Sequence, residues 1–511
     1  MRKRHIFAVI DIGSLSTGMK VFSVGEDGVP QQVEHLRSYL PLGSSTYSTG
    51  EISSDDLQEL CRLLTDFNEV CRTYKVEKKF CVATSAFREA KNKFFAVDRI
   101  RLLTGLPVTI LDNSMERYYR NIAAKELLPD FSRMAADGTV VLDIGSGSIQ
   151  STIYANNDFV FSQNMLLGPL RIDEMYSGLE AEAVDPQAVL EEHISTVLED
   201  YHAIAPKGVQ YKHLVVFGEE TIFLKKLAGL DPDEDREMDF PTFEKLHHLL
   251  EKTSTTELVL QYHIPSPAAG LLRPSTILIA KTLEYSSAQK LYMPNVSLYE
   301  GVAYHYAWQN HEMLLKTDPE ADILSAVRYM GKRYRFDKKH AERVRLFAVE
   351  IFDKTIPYHR LGKRERLLLS VASYCNEVGK HIQVSNYHLR SYHIIDTAEL
   401  WGLDHKEQQI VADAVLYGGR GHLPDPHDRA TEENDSVALK LAAILRLADA
   451  LEASRKQKIT QMRAVLERDT LYLYCEHQSD ISYENWEVDN KKGFFIDVFG
   501  ITPVMKPKRS T

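Results

Sequence analysis

The chain has 511 residues, 44% of them hydrophobic and 26% charged, with a net charge of −11. That balance belongs to a globular protein able to bury large cores, and the length fits roughly three or four domains. The acidic field argues against a nucleic-acid partner and makes any polyanionic ligand depend on a locally basic site.

Residues 6–24 read as strand, turn and strand, with Asp11-Ile12-Gly13-Ser14 at the turn. They follow the N-terminal basic residues directly, so the reading is a first strand and not a signal peptide. Residues 55–74 have helical spacing, with Leu57, Leu60, Leu63, Leu64 and Phe67 on one face. A buried strand over 80–84 leads into a helix ending near 104, and 107–111 and 115–128 read as strand and helix. Residues 139–144 form a buried strand that runs into Gly145-Ser146-Gly147-Ser148, followed by a hairpin over 150–164 turning at Asn156-Asn157-Asp158. Helices are expected over 186–202 and 274–284, and strands over 214–218 and 295–299. From about residue 310 glycine becomes sparse and amphipathic helices continue to Leu451. Strands are then expected over 470–474 and 493–499, with Lys506 to Arg509 as a solvated end. No apolar run is long enough for a membrane helix. The scattered Cys61, Cys71, Cys81, Cys375 and Cys475 show no metal-ligand spacing and suit a reducing cytoplasm.

The chemistry concentrates in two copies of strand-Asp-Ile-Gly-Ser, Asp11 to Ser14 and Asp143 to Ser146, which lie 132 residues apart. Such a distance suits two related α/β domains facing one cleft. Glycines at a strand end let backbone N–H groups approach a phosphate, and an acid there can hold a hard cation.

These stretches resemble the exopolyphosphatase and guanosine pentaphosphate phosphatase (Ppx/GppA) family of the actin and hexokinase superfamily. Asp11 to Ser14 and Asp143 to Ser148 are similar to its two phosphate loops. Ala83-Thr84-Ser85-Ala86-Phe87-Arg88-Glu89-Ala90-Lys91-Asn92 is the longest match. Leu167-Gly168-Pro169-Leu170-Arg171, Tyr299-Glu300-Gly301 and Leu445-Arg446-Leu447-Ala448-Asp449 resemble later segments. The resemblance implies two actin-like (ribonuclease H-like) α/β domains around a cleft, over 1–125 and 126–308. An all-α HD-like domain over 309–458 and a small α/β tail over 459–511 would follow. It implies release of the terminal phosphate of polyphosphate, or of the 5′-γ-phosphate of guanosine pentaphosphate, by a cytoplasmic homodimer. Gly13, Ser14, Ser16, Gly145, Ser146, Gly147, Ser148 and Arg88 would bind phosphate, and Asp11 and Asp143 would hold Mg²⁺ or another divalent cation.

The departures are informative. Leu15 and Gly18 replace an asparagine and an arginine of the first loop. Met115 and Gln150 stand where the family has catalytic glutamates, and Gln150 carries no charge. Glu116, one position late, and Glu219 and Glu220 after the strand over 214–218 are the candidates to complete the catalytic set with Asp143 and Gln150. In the helical region Asn376 replaces a metal-ligand histidine. With only Asp449, His388 and His393 in view, a full metal site there is not expected. The basic clusters 332–335 and 363–366 are read as an anion channel or as helix surface. Two further readings stand beside the hydrolase: a sensor of polyphosphate or guanosine tetraphosphate-type nucleotides that has lost the reaction, and a kinase of the same superfamily, which the Ala83 to Asn92 match disfavours.

Overall fold

The computed structural model describes residues 4–179, 186–311, 313–419 and 433–509. The chain divides into two compact units, Met1–Pro319 and Glu320–Thr511.

In the first unit, β1 (His5–Ile12) is antiparallel to β2 (Ser16–Val24), and β2 to β3 (Pro30–Tyr39). On the other side β1 runs parallel to β4 (Lys78–Ala83), which runs parallel to β5 (Val108–Ile110). The order is thus β3-β2-β1-β4-β5. A second sheet repeats the plan. There β6 (Thr139–Ile144) pairs antiparallel with β7 (Ile149–Ala155), β7 with β8 (Asp158–Met165), and β6 runs parallel to β9 (His213–Gly218). The short strands β10 (Glu237–Met238) and β11 (Lys290–Tyr292) extend it beyond β9. All residues of β6, β7 and β9 are buried. This explains their continuous Val/Ile/Leu character, since a strand covered on both faces has no polar alternation.

The helix Ser54–Thr73 packs Leu57, Leu60, Leu64 and Phe67 into the first core, and Ser53 caps it by accepting from the Asp56 N–H. The helix Asn113–Leu127 is capped by Asp112, which accepts from the Met115 N–H at 2.8 Å. Residues 295–299, expected as a strand, are instead coil leading into the helix Leu298–Asn310. Leu298, Tyr299, Val302 and Ala303 join Phe7, Val9, Phe22 and Val82 in one core cluster, so the chain returns from the second sheet to complete the first. Gly301 makes that return tight, because a Cβ there would lie 2.1 Å from the Tyr119 carbonyl oxygen.

The second unit is mainly helical. Long helices span Lys338–His359, Lys363–Cys375, Tyr387–Thr397, His405–Gly418 and Glu433–Ala450. It closes with a three-stranded sheet of β12 (Ile459–Glu467), β13 (Thr470–His477) and β14 (Thr502–Arg509) in that order. Residues 493–499 are not a strand but the last turns of the helix Ser482–Phe499, where Phe495 and Phe499 sit one turn apart with ring centroids at 4.7 Å. A short apolar run does not by itself separate helix from strand, and the helical start at Ser482 decides it. Residues 506–508 are exposed, as a solvated face would be, but the stretch is ordered within β14, parallel to β13. In the second basic cluster, Arg364 forms a fork to Glu407 at 2.6 Å through both contacts, and Arg366 pairs with Asp353 at 2.7 and 2.9 Å. These arginines are tied to the helical framework. Among the described residues no helix is long and apolar enough to cross a membrane.

Candidate active site

Asp11 and Asp143 occupy the same place in the two sheets, one residue before the end of β1 and β6. Each is followed by the same turn. The Gly13 N–H donates to the Ser16 carbonyl at 2.9 Å, and the Gly145 N–H to the Ser148 carbonyl at 3.0 Å. A Cβ at either glycine would press on that carbonyl, at 2.8 and 3.0 Å. Each turn therefore calls for glycine, and the N–H of that glycine is spent on closing the turn.

The first loop is engaged by its neighbours. The Ser14 hydroxyl bonds both Tyr47 Oη and Ser85 Oγ at 2.8 Å and accepts from the Ala86 N–H at 3.1 Å. Leu15 is buried with Leu170 and Leu271 in a small apolar cluster against Tyr39 and Tyr47. The Ser16 hydroxyl donates to Glu219 at 3.0 and 3.1 Å, and Arg37 binds both Ser16, at 3.2 Å, and Glu219. At Gly18 the space for a side chain is taken by the Tyr299 hydroxyl, 2.2 Å from where a Cβ would stand.

The second loop is held by the segment 167–171. The Leu170 N–H donates to the Ser146 carbonyl at 2.9 Å. A Cβ on Gly168 would meet Gly147 C and Ser146 O at 2.2 Å. Arg171 donates to the Gly147 carbonyl at 3.1 Å, forks onto Glu89 at 2.7 Å, and lies 4.4 Å over the Tyr47 ring. The Glu89 end of the 83–92 segment thus fixes the second loop, and Ser148 is buried beneath it.

Glu116 reaches this region. It is buried in the first turn of its helix, accepts from Arg88 at 2.8 Å and lies 3.7 Å from Arg120. Arg88 also donates to the Leu111 carbonyl at 2.8 Å, so it is a largely buried partner of Glu116 and of backbone. Met115 turns the other way, against the apolar cluster of the first sheet. Gln150 stands directly across from Asp143 in the β6–β7 register and is buried, with its Oε1 unpartnered.

Sequence reasoning missed Arg37, Arg120 and Tyr47. Arg120 follows Glu116 by four positions, one helical turn, and that spacing was readable. It also reaches Asp143 at 3.2 Å, which no local pattern shows. Arg37 lies 182 residues from Glu219 and gives no sequence signal.

Burial governs the acids. It pushes Asp11 up to about 7 against the pull of Arg120, and Asp143 up to about 7 against the same guanidinium. Burial and the neighbouring Glu219 push Glu220 up to about 8. Asp11 Oδ1, both Asp143 oxygens and both Glu220 oxygens are buried without a hydrogen-bond partner; Arg120 lies 3.2 Å from Asp143 as an ion pair without hydrogen-bond alignment. Such orphaned carboxylate oxygens at paired strand ends fit a hard divalent cation, whose ligands of choice are oxygens. Asp11 and Asp143 are the residues that would hold it.

The profile of the Ppx/GppA phosphatase family matches residues 21–309, and that of Ppx/GppA phosphatase domain III matches residues 324–492. The chain belongs to the Ppx/GppA phosphatase family. It is 25% identical over 481 residues to a guanosine-5'-triphosphate,3'-diphosphate pyrophosphatase of Aeromonas hydrophila, covering 92% of each chain. A protein of the same name from Aeromonas salmonicida is 24% identical over 469 residues, covering 89% of each. Among solved structures, the Aquifex aeolicus Ppx/GppA family member superposes with a TM-score of 0.50 at 20% identity, over 60% of this chain and 100% of that one. A solved exopolyphosphatase-like protein gives 0.54 at 15% identity, over 60% and 99%. The repeated sheets of the first unit are thus the actin-like pair of domains of this family.

Proposed function

We propose that the protein is a hydrolase of exopolyphosphatase type. It would release the terminal phosphate of linear polyphosphate, or the 5′-γ-phosphate of guanosine pentaphosphate, with Mg²⁺ or another divalent cation. The observation that carries this reading is the pair of Asp-Ile-Gly-Ser turns, whose aspartates keep buried, unpartnered oxygens. When bound, the cation would neutralise phosphate charge and polarise the terminal phosphoryl group. Asp11 and Asp143 would hold it, and Arg120 would keep Asp143 oriented. Arg88, Ser14, Ser146, Gly147 and Ser148 remain the candidates to grip phosphate oxygens.

The geometry favours Glu220 over Glu116 for the attacking water. Glu116 is committed to Arg88 and Arg120, and Glu219 to Arg37 and Ser16. Glu220 has no side-chain partner, and its carboxyl, pushed up to about 8 by burial and Glu219, becomes a base as pH rises past neutrality, so release should climb between pH 7 and 9. A cytoplasmic homodimer is part of the proposal, and the five buried, unpaired cysteines agree with a reducing compartment.

One observation favours the sensor reading. The two positions where the family has glutamates are filled by Met115, in an apolar cluster, and by the uncharged Gln150. The deciding experiment is phosphate release from long-chain polyphosphate and from guanosine pentaphosphate with Mg²⁺, with Asp143→Ala as the blank. Release that falls at least about a hundredfold in Glu220→Gln supports the hydrolase and its water-positioning group. Absence of release with tight binding of either anion assigns the sensor.

A further inference from the structure

The helix Lys93–Thr104 turns Ala96 and Ile100 into the first core and leaves its opposite face to solvent. On that face Phe94, Phe95, Leu102 and Leu103 are each between 60% and 82% exposed. A phenylalanine offers about 200 Å² and a leucine somewhat less, so the four side chains present roughly 550 Å² of apolar surface. A patch of that size on one chain marks a contact surface. The order of its residues shows what it contacts. Read from either end, the stretch is an apolar pair, two intervening residues and a charge: Phe94-Phe95 then Asp98, and Leu103-Leu102 then Arg99. The two charges are opposite. At about 100° per residue, a two-fold axis drawn outward between Asp98 and Arg99 has Phe95 and Leu102 about 10° to either side, Asp98 and Arg99 about 50°, and Phe94 and Leu103 about 90°. Ala96 and Ile100 fall behind them, as their burial requires.

We propose that this face is a two-fold interface, at which the helix Lys93–Thr104 pairs antiparallel with the same helix of a second copy of the chain. The two-fold operation reverses the helix and exchanges the two sides of its face, so each residue meets the one at the mirrored position. Phe95 faces the partner's Leu102, Phe94 faces the partner's Leu103, and Asp98 faces the partner's Arg99, each twice. Asp98 accepts from Arg101 of its own helix at 2.8 Å, and its remaining lone pairs can take the partner's Arg99 as well. The pair covers roughly 1,100 Å² of apolar surface, and the flanking polar atoms bring it into the range of about 1,200–2,000 Å² typical of specific interfaces. Charge also decides against a lipid surface. Asp98 stands between the two apolar pairs, where a bilayer would have to take up a carboxylate, whereas a second copy supplies an arginine. The inference gives the homodimer of the proposed function its contact surface; it rests on that part of the reading and not on the phosphatase chemistry.

Sedimentation equilibrium of the full chain measures the association. The wild type should dimerise in the micromolar range. Asp98→Arg and Arg99→Asp should each weaken that step at least about a hundredfold, because each sets four like charges around the axis. Both side chains are exposed, so neither change disturbs the core. Mixed in equal amounts, the two variants should associate as tightly as the wild type, since one then brings only arginines to the axis and the other only aspartates. A loss of fold would not be cured by mixing. Single variants that dimerise like the wild type overturn this interface and leave the homodimer standing. A wild type that stays monomeric overturns the interface and the homodimer together, and leaves the hydrolase to its own assay. Monomeric protein whose binding to vesicles of phosphatidylserine and phosphatidylcholine tightens in Asp98→Arg overturns the interface in favour of a lipid surface.

Discussion

Replacing Arg120 by Met removes the guanidinium that faces Asp143, Glu116 and Asp11 from one helix. Breaking a buried ion pair costs about 3–5 kcal/mol when the orphaned charge cannot adapt. Asp143 can adapt, because it titrates near 7 already. Its folded value lies above the unfolded 3.8, so the wild type loses stability as pH rises from about 4 to about 7 and then levels off. In the variant the carboxyl titrates higher still and the decline continues past 7. Below pH 6 the group is neutral in both proteins, and the lost packing and the lost Glu116 contact separate them by an amount that does not depend on Asp143. Between pH 6 and 8 the variant should lose about 1.4 kcal/mol more than the wild type for this one group. Urea midpoints at pH 6 and pH 8 measure the difference, and the same substitution in an Asp143→Asn background should show a smaller pH-dependent part. A midpoint shift that is equal at the two pH values, or larger at pH 6, refutes Arg120 as the counter-ion of buried acids.

Mg²⁺ affinity, read by calorimetry, should be about a hundredfold weaker at pH 6 than at pH 8, because Asp11 and Asp143 must both ionise from values near 7. An affinity independent of pH would exclude them as joint ligands. Gly168→Ala drives a Cβ into Ser146 and Gly147 backbone, and the displaced second loop should cut phosphate release roughly a hundredfold. Steady-state rates on polyphosphate check it. Lys225 is buried and donates to the carbonyls of Pro232, Asp235 and Met293, so Lys225→Met should cost roughly 3 kcal/mol and speed proteolysis of residues 228–237. Unchanged cleavage would mean that the loop is held by other contacts.

What was legible in the sequence was local. The two Asp-Ile-Gly-Ser turns, the buried strands around them and the helix at Leu57 to Phe67 follow from burial and period, and each is where those signals put it. What escaped was set by distant partners. Residues 493–499 carry enough aromatic and β-branched side chains for a strand, and only their continuity with Ser482 makes them a helix. Gly18 and Leu15 looked like losses from a phosphate loop. The space at Gly18 is filled by Tyr299, nearly three hundred residues on, and Leu15 packs on Leu170 and Leu271. The family resemblance casts Arg88 as a phosphate grip, yet its nearest partners are Glu116 and a carbonyl, because a buried guanidinium needs acceptors whatever ligand arrives later.

The helix Leu298–Asn310 also dictates an order of events during synthesis. The strands of the second sheet lie between residues 139 and 292, contiguous in sequence, so that sheet can close as soon as its last strand leaves the ribosome. The first sheet emerges earlier but waits, since Leu298, Val302 and Ala303 complete its core. Through the interval Phe7, Val9 and Phe22 lack their cover, an exposure of the kind that chaperones bind. A fragment stopped near residue 125 would carry that bare face permanently, whereas the same fragment supplied with residues 298–310 on a short linker regains its missing layer.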